Sequence, residues 1–138
     1  MDSLELKLCD IQGRLFELSV AEGYDSENFV PFFMHSEVAK SLDSKYNRMQ
    51  WAGEEYLLEE LQEEGNGKLI KGNKTFSSEI MYWIGYIYRY WHYLHGESSA
   101  KIYRQANVKT MRRNYMIFHT MDPELAIDDL IEIKRQKQ

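Results

Sequence analysis

MYWIGYIYRYWHYLH, residues 81–95, places five Tyr, two Trp and two His within fifteen positions. Ser77 before this stretch is of a residue type that caps helix starts, and Gly96 after it is of the type that ends helices. The two flanks predict one α-helix over residues 78–95. At about 3.6 residues per turn, one face of this helix is apolar, formed by Ile80, Ile84, Ile87, Trp91 and Leu94. A helix that is apolar over most of its circumference is expected to be surrounded by others, so residues 78–95 are predicted to form the central helix of the fold.

A second stripe of the same helix lies beside the apolar face and consists of Tyr82, Tyr86, Tyr90 and Tyr93, called here the tyrosine stripe. Because tyrosine has an apolar ring and a polar hydroxyl, such a stripe can occupy either of two environments in a folded protein. The hydroxyls can lie at the rim of a core, or the rings can form an exposed platform for a protein partner. The sequence leaves both interpretations open.

Gly85 lies in the middle of the predicted helix, where glycine costs about 1 kcal/mol relative to alanine. The close approach of a second helix is the simplest reason for that cost. Gly53 is the predicted partner of Gly85 at this crossing. Such a crossing would bring Glu54 or Glu55 within reach of Arg89, and a partly buried arginine needs an anionic partner.

The first half of the chain also shows helical periodicity. In residues 3–22, apolar residues recur at spacings of three and four, which is typical of an amphipathic helix. Short helices are predicted over residues 27–35 and 36–43. Residues 46–64 are predicted to form an acidic amphipathic helix whose glutamates face outward. Its inward-facing residues are predicted to be Met49, Ala52, Tyr56, Leu57 and Leu61.

Residues 65–75 are rich in Gly, Asn and Lys and are predicted to form a loop, with no β-sheet expected. Three shorter helices are predicted at residues 98–106, 108–120 and 123–136, and residues 134–138 are expected to fray. Together these segments predict an all-α fold. We expect a compact single-domain helical bundle, residues 1–138, of about six to seven helices around the central aromatic helix.

The composition excludes several classes of protein. With 43% hydrophobic and 28% charged residues, the 138-residue chain is expected to be globular. Cys9 is its one cysteine, so an intrachain disulfide is excluded, a reducing cytoplasm is expected, and Cys9 is predicted to be a small buried residue. No run of about 18 apolar residues and no signal-peptide pattern occurs, so no membrane association is expected. The net charge of −5 disfavours nonspecific attraction of the whole molecule to nucleic acid.

Charge is distributed unevenly along the chain. Residues 54–64 contain six Glu and no basic residue, whereas residues 98–121 contain basic residues and no acid. The two segments are expected either to attract each other within the fold or to face an oppositely charged partner. On the acidic segment, Glu55 and Glu59 are the candidate partner-binding residues. The basic segment has the outline of a helix-turn-helix, with candidate DNA-binding residues Lys101, Arg104, Lys109, Arg112 and Arg113.

Catalytic and metal-binding patterns are weak in this sequence. His92 and His95, with Glu97 nearby, have the spacing of a partial metal site, but the helix is expected to end before Glu97. His119 and Asp122 could pair, yet no Ser or Cys nucleophile accompanies them. We therefore predict no catalytic residue, no metal ligand and no cofactor.

Three stretches resemble a family of small uncharacterised bacterial proteins: LDSKYNRMQWAGEEYLLEEL at 42–61, MYWIGYIYRYWHYLHGESSAKIYRQA at 81–106 and FHTMDPELAIDDL at 118–130. Members of that family are encoded in gene clusters of the toxin–antitoxin kind, beside small partner proteins and a toxin similar to ADP-ribosyltransferases. The resemblance implies an antitoxin or an accessory subunit. It implies no catalytic residues, and gene neighbourhood is an association and not a mechanism.

The function predicted from these features is non-enzymatic binding of another protein, with a cognate toxin as the implied partner. The tyrosine stripe, or Glu55 and Glu59, would cover a cationic or apolar surface of that partner. This requires an exposed apolar patch or an acidic groove. The alternative is a small helix-turn-helix regulator that binds DNA through residues 98–117, and it could be a homodimer built on the heptad-like seam of residues 3–22.

Overall fold

The protein is described by a computed structural model that covers residues 1–45 and 48–137. Within these ranges the chain forms eight α-helices and one short 3₁₀ helix, Arg48–Trp51. The α-helices are α1 Ser3–Ala21, α2 Ser26–Met34, α3 Glu37–Asp43, α4 Glu54–Gly65, α5 Ser78–His95, α6 Ser99–Gln105, α7 Val108–Phe118 and α8 Pro123–Gln136. The described residues contain one isolated antiparallel bridge, between Tyr24 and Lys71, and no longer strand pairing. The predicted all-α fold is therefore confirmed, and its eight α-helices match the eight helical segments predicted one by one, although about six to seven were expected for the bundle as a whole.

The central helix has the bounds that its flanking residues predict. Ser77 caps α5 by accepting a hydrogen bond from the backbone N–H of Ile80 at 3.3 Å. Gly96 ends it in the left-handed conformation, with φ of 70°, which a residue without Cβ adopts at no steric cost. The apolar face is buried as predicted, apart from its last residue, Leu94, which is exposed at the C-terminal end of the helix.

Helix α5 packs mainly against α1, and glycines on both helices permit the close approach. A Cβ added to Gly85 would lie 2.6 Å from the backbone oxygen of Gln12 and 2.8 Å from the ring of Phe16. A Cβ added to Gly13 of α1 would lie 2.6 Å from the ring of Tyr82. The predicted close approach at Gly85 is confirmed. The predicted partner is wrong, because Gly53 is the N-cap of α4 and a Cβ there would meet nothing within 4 Å.

Arg89 of α5 is buried, with 1% of its surface exposed, and is held by three side chains. Its guanidinium donates to Gln12 Oε1 at 2.7 Å, to Asp43 Oδ1 at 2.7 Å and to Ser99 Oγ at 3.2 Å. Asp43 also accepts from the backbone N–H of Ser99 at 2.8 Å. The predicted pairing of Arg89 with Glu54 or Glu55 is therefore wrong. A buried guanidinium requires an anion, and the end of α3 supplies it in place of α4.

The acidic helix is shorter than predicted. Helix α4 begins at Glu54 because Gly53 is extended, and residues 46 and 47 and the side chain of Met49 lie outside the described residues. Leu57 and Leu61 are buried as predicted. Tyr56 is 50% exposed and does not face inward, because α1 and α3 cover only the arc of α4 that contains the leucines.

The C-terminal helix has the bounds predicted for it, residues 123–136. Helix α8 begins with Pro123 after the N-cap Asp122 and continues to Gln136. Residues 134–136, which were expected to fray, belong to this helix. Residue 138 lies outside the described residues.

Cys9 is fully buried on α1, and burial raises the pKa of its thiol from 9.0 to about 12. Because the thiolate is the reactive form, we expect iodoacetamide at pH 8 to leave Cys9 of the native protein unmodified and to alkylate it rapidly in denaturing urea. Intact-mass spectrometry of the two reactions would measure this difference. Fast alkylation of the native protein would contradict the buried position of Cys9.

The same pKa shift has a consequence for stability. The unfolded chain loses the Cys9 proton near its ordinary pKa, whereas the folded chain retains it until about pH 12. The stability that the protonated, buried Cys9 thiol contributes to the folded state is therefore fully present below about pH 9 and is lost as pH rises towards 12. The free energy of unfolding should fall over this range.

Candidate partner-binding site

An open groove of about 760 Å³ lies along one side of α5. Helix α5 contributes Glu79, Tyr82, Trp83 and Tyr86, which are spaced i, i+3, i+4 and i+7 and therefore share one face of the helix. Trp83 is buried, and Tyr82 and Tyr86 are half-buried. Part of the tyrosine stripe thus forms the floor of a groove that is open to solvent.

One wall of the groove comes from α1, whose residues Asp10, Arg14 and Glu17 also share one helical face. The Asp10 carboxylate accepts a hydrogen bond from the Tyr82 hydroxyl and pairs with Arg14 Nε at 2.9 Å. Burial, together with the hydrogen bond to Asp10, raises the pKa of Tyr82 above its ordinary value. Tyr82 is therefore a protonated donor at neutral pH, and its ring is held in a fixed orientation.

The opposite wall comes from the end of α7. The Tyr115 ring lies edge-on to Trp83, with ring centroids 5.8 Å apart. The His119 ring stacks on Tyr115 at 4.3 Å, and His119 Nδ1 lies 2.8 Å from the Tyr115 backbone oxygen. A pairing of His119 with Asp122, which the sequence allows, is absent from the described contacts, and Asp122 instead caps α8 by accepting from the Glu124 backbone N–H at 3.0 Å. The wall is therefore aromatic.

The tyrosine stripe lies between its two predicted positions, since all four of its residues are half-buried. The Tyr86 ring stacks with Tyr90 at 6.2 Å and is tilted against Tyr82 at 5.9 Å. Burial raises the pKa of Tyr93 to about 12, and its hydroxyl is enclosed with no hydrogen-bond partner among the described residues. Tyr82 and Tyr86 line the groove, whereas Tyr90 and Tyr93 continue the stripe beyond it.

The predicted glutamates lie elsewhere on the molecule. Glu55 and Glu59 are exposed on α4, which packs against α1 and α3, and neither lines the groove. A neighbouring residue, Glu64, caps α3 by accepting from the backbone N–H groups of Glu37 at 2.8 Å and Val38 at 3.3 Å. The structure therefore does not bring the acidic candidates together with the tyrosines.

The basic candidates occupy α6 and α7, which are joined at Ala106 and Asn107 as the helix-turn-helix outline requires. Lys101 pairs with Glu97 at 3.2 Å, and Arg104 is exposed on α6. The remaining bases share the exposed face of α7, namely Lys109, Arg112 and Arg113. The Arg112 guanidinium lies 5.7 Å from the ring centroid of Phe76. Within the described part of the chain, no ion pair joins these bases to residues 54–64.

Several groove residues were not predicted as site residues. Asp10, Glu17 and Glu79 could have been predicted from the sequence, because each lies on the same helical face as another polar or aromatic residue of its own helix. Tyr115 and His119 could not have been found in this way, because their proximity to Trp83 depends on how α7 packs against α5.

Residues 1–45 and 48–137 contain neither a metal-binding cluster nor a membrane-spanning helix. These ranges contain no group of three or more His, Cys, Asp or Glu side chains placed to hold a metal ion. His92 Nδ1 lies 2.6 Å from the Glu97 backbone oxygen, and burial lowers the pKa of His92. None of the helices described has both the length and the apolar content needed to cross a membrane.

No protein-family model, curated protein or solved structure matches this chain. The resemblance of residues 42–61, 81–106 and 118–130 to proteins of toxin–antitoxin-like gene clusters therefore stays a prediction.

Proposed function

We propose that this protein is a non-enzymatic protein-binding module, acting as an antitoxin or accessory subunit, and that it binds its partner through the groove on α5. The observation that carries the proposal is the open groove of about 760 Å³, whose floor and wall are formed by Tyr82, Trp83, Tyr86 and Tyr115. Tyrosine and tryptophan are enriched at the energetic centres of protein interfaces. An accessible aromatic groove of this size supports binding over a purely structural role for these rings.

The groove is preorganised for binding. Tyr82 is held by Asp10, Trp83 packs edge-on against Tyr115, and Tyr115 is stacked with His119. Side chains that are already ordered lose little conformational freedom when a partner binds. A partner therefore gains aromatic contact area at a low entropic cost, which favours tight association.

The acidic surface of α4 has a separate role in this proposal. Glu55 and Glu59 are exposed and lie outside the groove, so they would act at a distance on a cationic partner. Charges at the edge of an interface increase the association rate more than they increase the affinity. The bound module would then cover the functional surface of the partner, which is how an antitoxin of this kind would act.

We expect Tyr86→Ala to weaken partner binding by about 30-fold, which corresponds to the loss of roughly 2 kcal/mol at a central interface aromatic. The measurement is capture of partner from the native host by the tagged protein, followed by titration of the purified partner. Circular dichroism would establish that the variant is folded. We expect it to fold, because Tyr86 is half-buried and is not part of the fully buried core.

Tyr56→Ala is the matched control, because Tyr56 is an exposed tyrosine on α4 outside the groove. It should leave binding within about twofold of the wild type. Loss of binding in Tyr56→Ala with retention in Tyr86→Ala would move the binding surface to α4 and contradict the proposal for the groove.

A second candidate function, DNA binding, is favoured by one observation: Lys109, Arg112 and Arg113 share an exposed face of α7 that is not paired with the acidic helix in the described residues. A helix-turn-helix regulator would use this face against phosphates and base edges. If the tagged protein retains its own promoter DNA and no protein, with affinity that falls steeply as salt rises, the regulator becomes the better description.

A further inference from the structure

The groove on α5 combines aromatic rings with an excess of negative charge. Its lining contains three carboxylates, from Asp10, Glu17 and Glu79, and one guanidinium, from Arg14. Arg14 pairs with Asp10 at 2.9 Å, so these two charges compensate each other. No ion pair to Glu17 or Glu79 occurs among the described residues. Two carboxylates therefore line the groove without an ion pair to a cation in the described part of this chain.

Aromatic faces and carboxylates favour the same kind of ligand. The negative face of a tyrosine or tryptophan ring attracts a cation placed over it, most strongly where the site is partly desolvated. Carboxylates bind a guanidinium through two parallel hydrogen bonds. Arginine satisfies both requirements, because its planar group stacks on rings and is more weakly hydrated than an ammonium group.

We propose that the groove receives an arginine- or lysine-bearing segment of a protein partner, with the cationic group between the rings of Tyr82 and Tyr86 and the carboxylates of Glu17 and Glu79. This inference rests on the proposed function and specifies the chemistry of the partner. An acidic segment would place carboxylates beside Glu17 and Glu79, which is repulsive. A purely apolar segment would desolvate the two glutamates without compensation. The charge of the groove thus selects a basic occupant.

The test uses the full-length protein and a blocked peptide of sequence Gly-Arg-Leu-Arg-Gly as the probe, with Gly-Glu-Leu-Glu-Gly as the opposite-charge probe. Binding is followed by two-dimensional NMR of the labelled protein. We expect the arginine peptide to shift amide signals of residues 79–86 and 115–119, and the glutamate peptide to shift none of them. The double variant Glu17→Gln and Glu79→Gln should bind the arginine peptide at least about tenfold more weakly than the wild type.

The matched control is the double variant Asp128→Asn and Asp129→Asn, which makes the same change in net charge at two exposed positions of α8 outside the groove. It should bind the arginine peptide within about twofold of the wild type. If both double variants bind the arginine peptide equally weakly, the peptide is attracted by the net negative charge of the protein and not by the groove. That result would overturn the inference. The inference also fails if the arginine peptide shifts signals elsewhere only, shifts none, or if the glutamate peptide binds equally well.

Failure of this inference can be separated from failure of the proposed function. A natural partner whose binding depends on Tyr86 but is unaffected by the Glu17 and Glu79 substitutions would leave the binding module intact and overturn the basic occupant. The converse result is also possible: the arginine peptide binds the groove through Glu17 and Glu79, but Tyr86→Ala does not affect capture of the partner. This result would support the groove chemistry and contradict the proposed function.

Discussion

Asp43→Ala should lower the free energy of unfolding by about 3–5 kcal/mol, because it leaves a buried guanidinium without its counter-ion. Arg89 is 1% exposed, and Asp43 is the one carboxylate that pairs with it in the described structure, at 2.7 Å. Asp43 also holds the start of α6 through the backbone N–H of Ser99. Its removal therefore affects the ends of two helices as well as the central one. Urea denaturation followed by circular dichroism would measure the loss.

Lys40→Ala is the control for this prediction. Lys40 pairs with Glu37 at 3.3 Å on the surface of the same helix, and exposed pairs contribute only about 0–1 kcal/mol. The double variant Asp43→Ala and Arg89→Met should lose less free energy of unfolding than the sum of the losses of the two single variants. The reason is that an apolar side chain at position 89 needs no counter-ion. A loss below about 1 kcal/mol for Asp43→Ala would contradict the role of Asp43 as the required anion.

Gly85→Ala should lower the free energy of unfolding by about 1–3 kcal/mol, although alanine is the better helix former. The added Cβ would lie 2.6 Å from the Gln12 backbone oxygen and 2.8 Å from the Phe16 ring. A backbone oxygen cannot rotate away as the end of a side chain can, so α1 would have to move from α5. Thermal and urea unfolding of the variant would measure this cost.

Gly53→Ala provides the comparison within the same chain. A Cβ on Gly53 meets no atom within 4 Å, and its φ of −83° is accessible to alanine. The change should cost no more than about 0.5–1 kcal/mol, from the poorer N-cap. If Gly85→Ala and Gly53→Ala lower the free energy of unfolding equally, α1 and α5 can move apart without losing stability. That result would contradict the close approach of the two helices.

The local features of the chain were predictable from the sequence. The bounds of α5 follow from Ser77 and Gly96, and the burial of Ile84 and Trp91 follows from their spacing. The need for a close approach at Gly85 was also predictable, because a glycine in a helix interior is otherwise unfavourable. Each of these conclusions depends on residues separated by a few positions, where helical geometry alone sets the relationship.

The partners of these residues were not predictable. Gly13, and not Gly53, lies on the helix that Gly85 approaches, and Asp43, and not Glu54 or Glu55, neutralises Arg89. Both errors arose from the choice of the helix beside α5. Many glutamates of this chain satisfy the general requirement for an anion, so the requirement does not identify one of them.

The all-α fold, the bounds of the central helix and the tyrosine stripe beside its apolar face all follow from local patterns in the sequence. The crossing of α1 and α5 at two glycines depends on how the helices pack, and so does the groove in which α7 brings Tyr115 and His119 opposite Tyr82 and Tyr86. This difference comes from the range of the interactions. Hydrogen bonding and periodicity within a helix are local in sequence, whereas the packing of helices depends on the combined shape and charge of surfaces that are distant along the chain.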